Sequence, residues 1–286
     1  MWFEELMGFR EDNAQIYANI AVDGQIMTSK ANGLTCKCGL LETPTLGELR
    51  SRVSKQSATV GQGRLKLSER VANVQNLHQD PACARALFQV ASQFNLLEMV
   101  SPSISPESGI DIYEHDHTQG PACAIAAGAG TVFRNYFVNV NGRIGQRTDN
   151  QIDCLFDMGQ ALGNNGNRLW AMRNGYVLPS ADGLLEVAEK LSGMSEGDRD
   201  VLRAKLRIGV HWDTEGTLGN NNHLVSQALC SALPVAYSPL SADMWEEFGR
   251  LVLEASYEAT LCAAVLNLVN SGNKCVFLTL LGGGAF

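Results

Sequence analysis

The stretch that most restricts the fold runs from Ser241 to Val269. Trp245, Phe248, Leu251, Val252, Ala255 and their successors to Leu268 recur at mostly three- and four-residue intervals, the period of a helix with one apolar face. Ser241 is a suitable N-cap, and Asn270-Ser-Gly272 is a stop. KCVFLTLLGGGAF follows, an apolar strand running into three glycines. A long helix feeding straight into a buried strand points to a layered fold in which sheet and helix cover each other.

The rest of the chain alternates strand and helix signals. Residues 25 to 46 read as a hairpin around Ala31-Asn32-Gly33, since Asn-Gly favours a primed turn. Thr45-Leu-Gly-Glu-Leu-Arg reads as a helix start, and residues 50 to 65, polar and Gly/Ser-containing, as a mobile loop. Residues 80 to 87 read as a short helix or turn. ALFQVASQF, residues 86 to 94, reads as a buried strand leading to Asn95-Leu-Leu-Glu98. The Ala/Gly-rich stretch 120 to 135, with Pro at its front, predicts a tightly packed helix. A second hairpin centres on Asn141-Gly142, residues 149 to 162 read as helical, and 168 to 179 as a strand pair. Two short helices follow, the second opened by Ser195, then strands over 206 to 213 and 224 to 233. The pattern predicts an α/β domain with a mixed sheet and helices on both faces.

Composition narrows the classes of function. The chain has 286 residues, 45% hydrophobic and 18% charged, with a formal net charge of −8. No dense Lys/Arg block is present, which argues against a nucleic-acid groove. No uninterrupted apolar run of about 18 residues is visible, so no membrane span is expected. The acidic start MWFEELMGFREDN lacks the basic and apolar parts of a signal peptide. A cytoplasmic location is expected, with the nucleus as the other compartment. The eight cysteines are scattered, mostly among small apolar neighbours, and read as buried reduced thiols. Cys36-Lys37-Cys38 is the one close pair, with no second pair at zinc-finger spacing.

Two stretches carry chemistry. GIDIYEHDHTQGPACA, residues 109 to 124, holds Asp111, Glu114 and Asp116 with His115 and His117 among them. Such a cluster suits a metal site, a pair of acid/base carboxylates or a solvated loop. Asp111 and Asp116 would face opposite sides of an extended segment, so they need a turn to converge. VFLTLLGGGAF ends in glycines whose amides are unobstructed by a Cβ, a loop able to cradle a phosphate. Neither a P-loop nor a dinucleotide fingerprint is present, and no GxSxG elbow supports a serine triad.

The long helix, the turn, VFLTLL and GGGAF together resemble the last strand and phosphate loop of the macrodomain family, an ADP-ribose-binding fold. ALFQVASQFNLLE is similar to the macrodomain strand that ends near an Asn, although the usual Val-Asn-Ala-Ala-Asn wording is absent. The acid segment running into Thr-Gln-Gly-Pro looks most like a divergent branch that includes a bacterial effector removing ADP-ribose from an arginine of ubiquitin. The resemblance covers roughly residues 85 to 286. It implies a three-layer α/β/α macrodomain-like domain over 81–286, with residues 1–80 as an N-terminal extension, a hairpin plus helix, packed on it.

The resemblance further implies a site. Gly282, Gly283, Gly284, Ala285 and Phe286 would wrap the diphosphate, and Thr118, Gln119 and Gly120 would add helix N-terminal amides. Asn95 and Glu98 would face the distal ribose. Asp111, Glu114 and Asp116 would be the catalytic carboxylates for hydrolysis of an ADP-ribosyl-arginine bond, one activating water and another serving the departing guanidine. The expected partners are ADP-ribose and an ADP-ribosylated protein, ubiquitin among the candidates, with no cofactor and no metal required. Two rivals stand beside this reading: a module that binds ADP-ribose without cleaving it, and a metal-dependent hydrolase built on Asp111, His115 and His117. Tyr113 would stack on a base or fill core, and His211, in an apparent strand, reads as a satisfied interior residue.

Overall fold

The computed structural model describes residues 1–56, 63–219 and 222–284. Ala285 and Phe286 of the expected diphosphate loop, and residues 57–62 of the expected mobile loop, lie outside them. The strands in chain order are β1 (Ile20–Asp23), β2 (Ile26–Ser29), β3 (Thr35–Lys37), β4 (Leu40–Glu42), β5 (Leu87–Ala91) and β6 (Asn139–Val140). They continue as β7 (Arg143–Ile144), β8 (Trp170–Arg173), β9 (Tyr176–Pro179), β10 (Gly209–Glu215), β11 (Leu224–Cys230) and β12 (Val276–Phe277).

Five of them form the central sheet in the order β12-β5-β11-β10-β4. β12, β5 and β11 run parallel, and β10 is antiparallel to both β11 and β4. The sheet is therefore mixed, within an α/β fold. LFQVA is buried along β5 because it lies inside the sheet with helices on both sides, which favours a continuous apolar run over alternation.

The two faces can be read from polar side chains that cross them. Toward one face, Gln89 Nε2 donates to Thr260 Oγ1 at 2.9 Å, tying β5 to the long helix Glu246–Ser271. Toward the other, Gln227 Nε2 donates to the Cys123 carbonyl at 3.0 Å in the helix Gln119–Ala126. Phe88 stacks on His78 of the helix Val74–Gln79 on that second side, with ring centroids 3.9 Å apart.

The long helix opens with a 3-10 turn, Ala242–Trp245, and the Ser241 side chain makes no cap hydrogen bond. It closes at Gly272, whose φ of 76° lies in the left-handed region that favours glycine. Residues 242–271 are long and apolar enough to cross a membrane by length and composition alone. In the fold that apolar surface is used internally: Phe248, Leu251, Val252 and Ala255 are buried in the main core with Leu87, Val90 and Leu229.

The first 80 residues are more than an extension laid on that core. β4 is the edge strand of the sheet, paired with β10 through Leu41↔His211. The helix Leu46–Lys55 follows, fixed by a capping box in which Thr45 Oγ1 accepts the Glu48 N–H and Glu48 Oε2 accepts the Thr45 N–H. Leu46 and Leu49 are fully buried in the main core. The helix runs to Lys55, so the first residues of the stretch read as a loop are helical. Residues 1–38 contribute to a second core instead, where Phe3, Met7, Ile16 and Met27 meet Ile110, Tyr113, Ala129 and Tyr136.

Three elements differ from expectation for identifiable reasons. The Ala-rich helix breaks at Ala127 (φ −117°, ψ 53°), because Thr217 takes its hydrogen bonds: Thr217 N–H donates to the Ala126 carbonyl and Thr217 Oγ1 accepts the Gly128 N–H. Residues 149–155 are not helical; only Phe156–Leu162 is, with the Asp153 carboxylate accepting the Leu155 N–H just before it. The C-terminal strand pairs over only Val276–Phe277, and Leu280 is 79% exposed. The Asn141-Gly142 turn matches expectation, both residues having positive φ (51° and 81°) as a primed turn needs. All eight cysteines are free, and six of them are buried.

Candidate functional site

Because β12, β5 and β11 are parallel, they deliver three loops to one edge of the sheet: Ser92–Glu98, Ser231–Tyr237 and Leu278–Gly284. The carboxyl edge of such strands is where open α/β folds bind ligands. Gly282 lies over the end of β11, where an added Cβ would come within 3.0 Å of the Ala232 Cβ. The Tyr257 hydroxyl anchors this tail by donating to the Thr279 carbonyl at 2.7 Å and accepting the Leu281 N–H at 3.1 Å.

The helix Gln119–Ala126 begins at the same edge. Gln119 Oε1 accepts the Ala91 N–H at 2.9 Å and its Nε2 donates to the Gln89 carbonyl at 2.8 Å. These β5 groups point to the side that β12 covers at Leu87 and Phe88, so the Gln119 amide continues the ladder where β12 stops. Gly120 is pressed between the Ala91 carbonyl and the Glu98 carboxyl, leaving no room for a Cβ. Thr118 caps with its backbone only, its side chain making no cap bond, and its N–H donates to Asp116 Oδ1 at 2.9 Å.

Glu98 sits behind Gly120 at 2% exposure, and its Oε1 has no hydrogen-bond partner among the described residues. Burial lifts this carboxyl well above the usual range; the Arg134 guanidinium opposes the rise and the Asp116 carboxylate adds to it. The Tyr176 phenol is also raised, by burial first, then by Tyr237, Glu98 and Asp116. Asp116, Glu98, Tyr176 and Tyr237 thus share one electrostatic neighbourhood, with the two tyrosine rings 5.3 Å apart. Half-exposed Asp116 is the solvent-facing carboxylate of that group.

The other two carboxylates of the cluster face elsewhere. Asp111–His115 forms a short 3-10 helix whose Asp111 and Glu114 side chains turn toward the N-terminal helix Trp2–Met7. Asp111 Oδ1 accepts the Phe3 N–H at 3.2 Å, and Glu114 Oε2 accepts the Trp2 N–H at 3.0 Å. Burial raises the Asp111 carboxyl, the Phe3 N–H opposes the rise, and Glu114 adds to it. Asp111 thus serves the N-terminal helix, whereas Asp116 accepts the Thr118 N–H and acts on Glu98. Tyr113 is core: it is fully buried and its hydroxyl accepts the Glu98 N–H at 3.0 Å. His115 and His117 are exposed, and no group of three His, Cys, Asp or Glu side chains among the described residues is placed to hold a metal.

The remaining expected ligand residues are partly committed to the fold. Asn95 is fully buried; its Nδ2 donates to Gln151 Oε1 at 2.8 Å and its Oδ1 accepts the Leu97 N–H at 3.1 Å. The Gly283 N–H closes a turn onto the Leu280 carbonyl at 3.0 Å, and a Cβ at Gly284 would meet open space.

Arg134 was not singled out by sequence, although a lone cation in the apolar run AIAAGAGTVFRNYF is a visible signal. It is fully buried, donating from Nε to the Leu96 carbonyl at 3.2 Å and from Nη2 to Thr131 Oγ1 at 3.0 Å. Its Nη1 lies 3.3 Å from Nδ1 of His211, itself fully buried in β10. Leu96 has a positive φ of 65°, so Arg134 fixes the unusual turn that leads into Glu98. Tyr176 and Tyr237 carried no sequence signal, since each reaches the edge only through the fold.

No family model, no curated protein and no solved structure matches this chain.

Proposed function

We propose that the chain is a hydrolase that releases ADP-ribose from modified arginine, with ubiquitin as one candidate carrier. The observation that carries the reading is the Glu98–Asp116 pair at the carboxyl edge of the parallel strands, one carboxyl buried with a raised affinity for its proton and one half-exposed. A buried carboxyl that keeps its proton, set near a more exposed carboxylate, suits acid/base work on a glycosidic bond. In this reading Asp116 takes a proton from water as its oxygen bonds to ribose C1″. The C1″–N bond breaks, and the proton held by Glu98 goes to the guanidine nitrogen that leaves. Gly120 and the first turn of the Gln119–Ala126 helix, together with Gly282–Gly284, would face the diphosphate.

An ADP-ribosylated arginine peptide tests it. Release of free ADP-ribose by the wild type, falling on the order of 100-fold or more in Asp116→Asn with ADP-ribose affinity retained, supports the reading. Absence of release by the wild type removes it.

A second reading has its own support. Asp111 and Glu114 are occupied by the N-terminal helix, which leaves Asp116 alone of the three acids expected to be catalytic outside that grip. A module that binds ADP-ribose without cleaving it needs no more than that. Tight binding of ADP-ribose with no release from the peptide selects this alternative.

A further inference from the structure

The carboxylate of Glu11 lies at the junction of the N-terminal segment and the acid loop. Its Oε1 and Oε2 accept the Ile110 N–H at 2.8 and 2.9 Å, and Oε2 also accepts the Asp111 N–H at 2.8 Å. The Tyr136 hydroxyl donates to Oε1 at 2.5 Å, giving the carboxylate a side-chain donor beside the two backbone ones. Gly109 has a φ of 87° and leaves no space for a Cβ against Glu11, so the chain at this turn is shaped around the carboxylate. The grip is mutual. Asp111 and Glu114, from the same loop, accept the Phe3 and Trp2 amides and so satisfy first-turn donors of the helix that precedes Glu11. The Trp2 indole N–H adds a bond to the Ile110 carbonyl at 3.1 Å.

The same loop reaches the proposed site by two routes. Tyr113, one turn beyond the gripped backbone, accepts the Glu98 N–H. Asp116 follows directly after the 3-10 helix, and its N–H donates to the Tyr113 carbonyl at 3.2 Å. We infer that Glu11 is a positioning residue: by clasping the backbone at Ile110 and Asp111 it sets where Asp116 and Glu98 stand, and the N-terminal segment is thereby a working part of the site.

The functional half of this inference rests on the hydrolase reading; the clasp itself does not. Glutamine at position 11 keeps the shape but puts an NH2 group where an oxygen now faces backbone donors. Two measurements on full-length protein decide the matter. Hydrogen exchange at the Ile110 and Asp111 amides is expected to speed up by about tenfold or more in Glu11→Gln, reporting local loosening. The kcat for ADP-ribose release is expected to drop on the order of tenfold or more with KM little changed, because a loosened loop misplaces catalytic groups without removing ligand contacts. Thr45→Ala, which breaks the capping box of the Leu46–Lys55 helix, serves as the control and should leave kcat at the wild-type value.

Unchanged exchange at 110 and 111 overturns the clasp. Faster exchange with an unchanged kcat overturns the positioning role, as does an equal loss of kcat in Thr45→Ala. A wild type that binds but does not release ADP-ribose refutes the hydrolase reading and with it the positioning role, while the exchange measurement still decides the clasp.

Discussion

The Tyr113 hydroxyl accepts the Glu98 backbone N–H at 3.0 Å, and both residues are buried. This bond joins the acid loop to the turn after β5. Tyr113→Phe would leave that buried N–H without its acceptor, a loss of about 1–3 kcal/mol. Chemical denaturation should register a destabilisation of this size, accompanied by slower ADP-ribose release. A variant as stable and as active as the wild type would mean that the bond links nothing of consequence.

Gly120→Ala should be one of the more damaging single-methyl additions to this chain. The new Cβ would collide with the Ala91 carbonyl and the Glu98 carboxyl at once. The helix start must retreat from β5, breaking the Gln119 amide pairing with Ala91 and Gln89. A cost of about 1–3 kcal/mol is expected from overpacking, together with weaker ADP-ribose binding by calorimetry. The same exchange at Gly249, where an added Cβ meets nothing within 4 Å, is the internal comparison and should be neutral or slightly stabilising.

Asp111 and Asp116 should respond differently to removal of charge. Asp111→Ala takes an oxygen acceptor from the Trp2–Met7 helix and should cost about 1 kcal/mol in thermal unfolding, as losing a cap does. Asp116→Ala takes the solvent-facing carboxylate beside Glu98 and should lower turnover with little change in melting. Reversed outcomes for the two variants would exchange their roles.

Two buried histidines set the response to acid. Burial holds His78 down to about 4, with the Val74 carbonyl opposing and His223 adding to the depression. Burial and then Arg134 hold His211 down to about 3. A base whose folded value lies below its unfolded value near 6.5 takes up protons preferentially in the unfolded state. Its stabilisation is therefore complete above about pH 6.5 and is lost on acidification until the folded value is reached. At pH 5 the loss from His78 amounts to about 2 kcal/mol. Carboxyls with raised values, such as Glu98 and Glu11, act in the opposite direction, so a variant isolates the effect. Urea unfolding of wild type and His78→Gln should show a stability gap at pH 7 that narrows by about 2 kcal/mol at pH 5. A gap independent of pH would contradict a neutral buried imidazole.

Local signals were legible where the chain decides locally. The helix start at Thr45, the Asn141-Gly142 turn, the Ser195 cap and the apolar stripe of the long helix each rest on neighbours in sequence. The alternation of strands and helices was enough to expect a mixed sheet with helices on both sides. What escaped depends on residues far apart in the chain. The break at Ala127 needs Thr217, and the short final strand coincides with the Gln119 side chain on the same ladder. The acid cluster divides because Asp111 meets Phe3, a residue 108 positions away. Spacing within GIDIYEHDHTQGPACA could state that a turn was needed, yet not toward which partner each carboxylate would turn. The buried Arg134 was visible as an oddity, but its reach to the Leu96 carbonyl was not.

The distribution of sulfur gives the molecule a built-in reporter. Burial pushes the Cys36 thiol up to about 12 and those of Cys38 and Cys230 up to about 11, and Cys275 is exposed. Alkylating reagents need a thiolate they can reach. In the native state they should modify Cys275 first and spare the interior. Each further adduct seen by mass spectrometry would mark an opening event, and its position would name the part of the chain that opened.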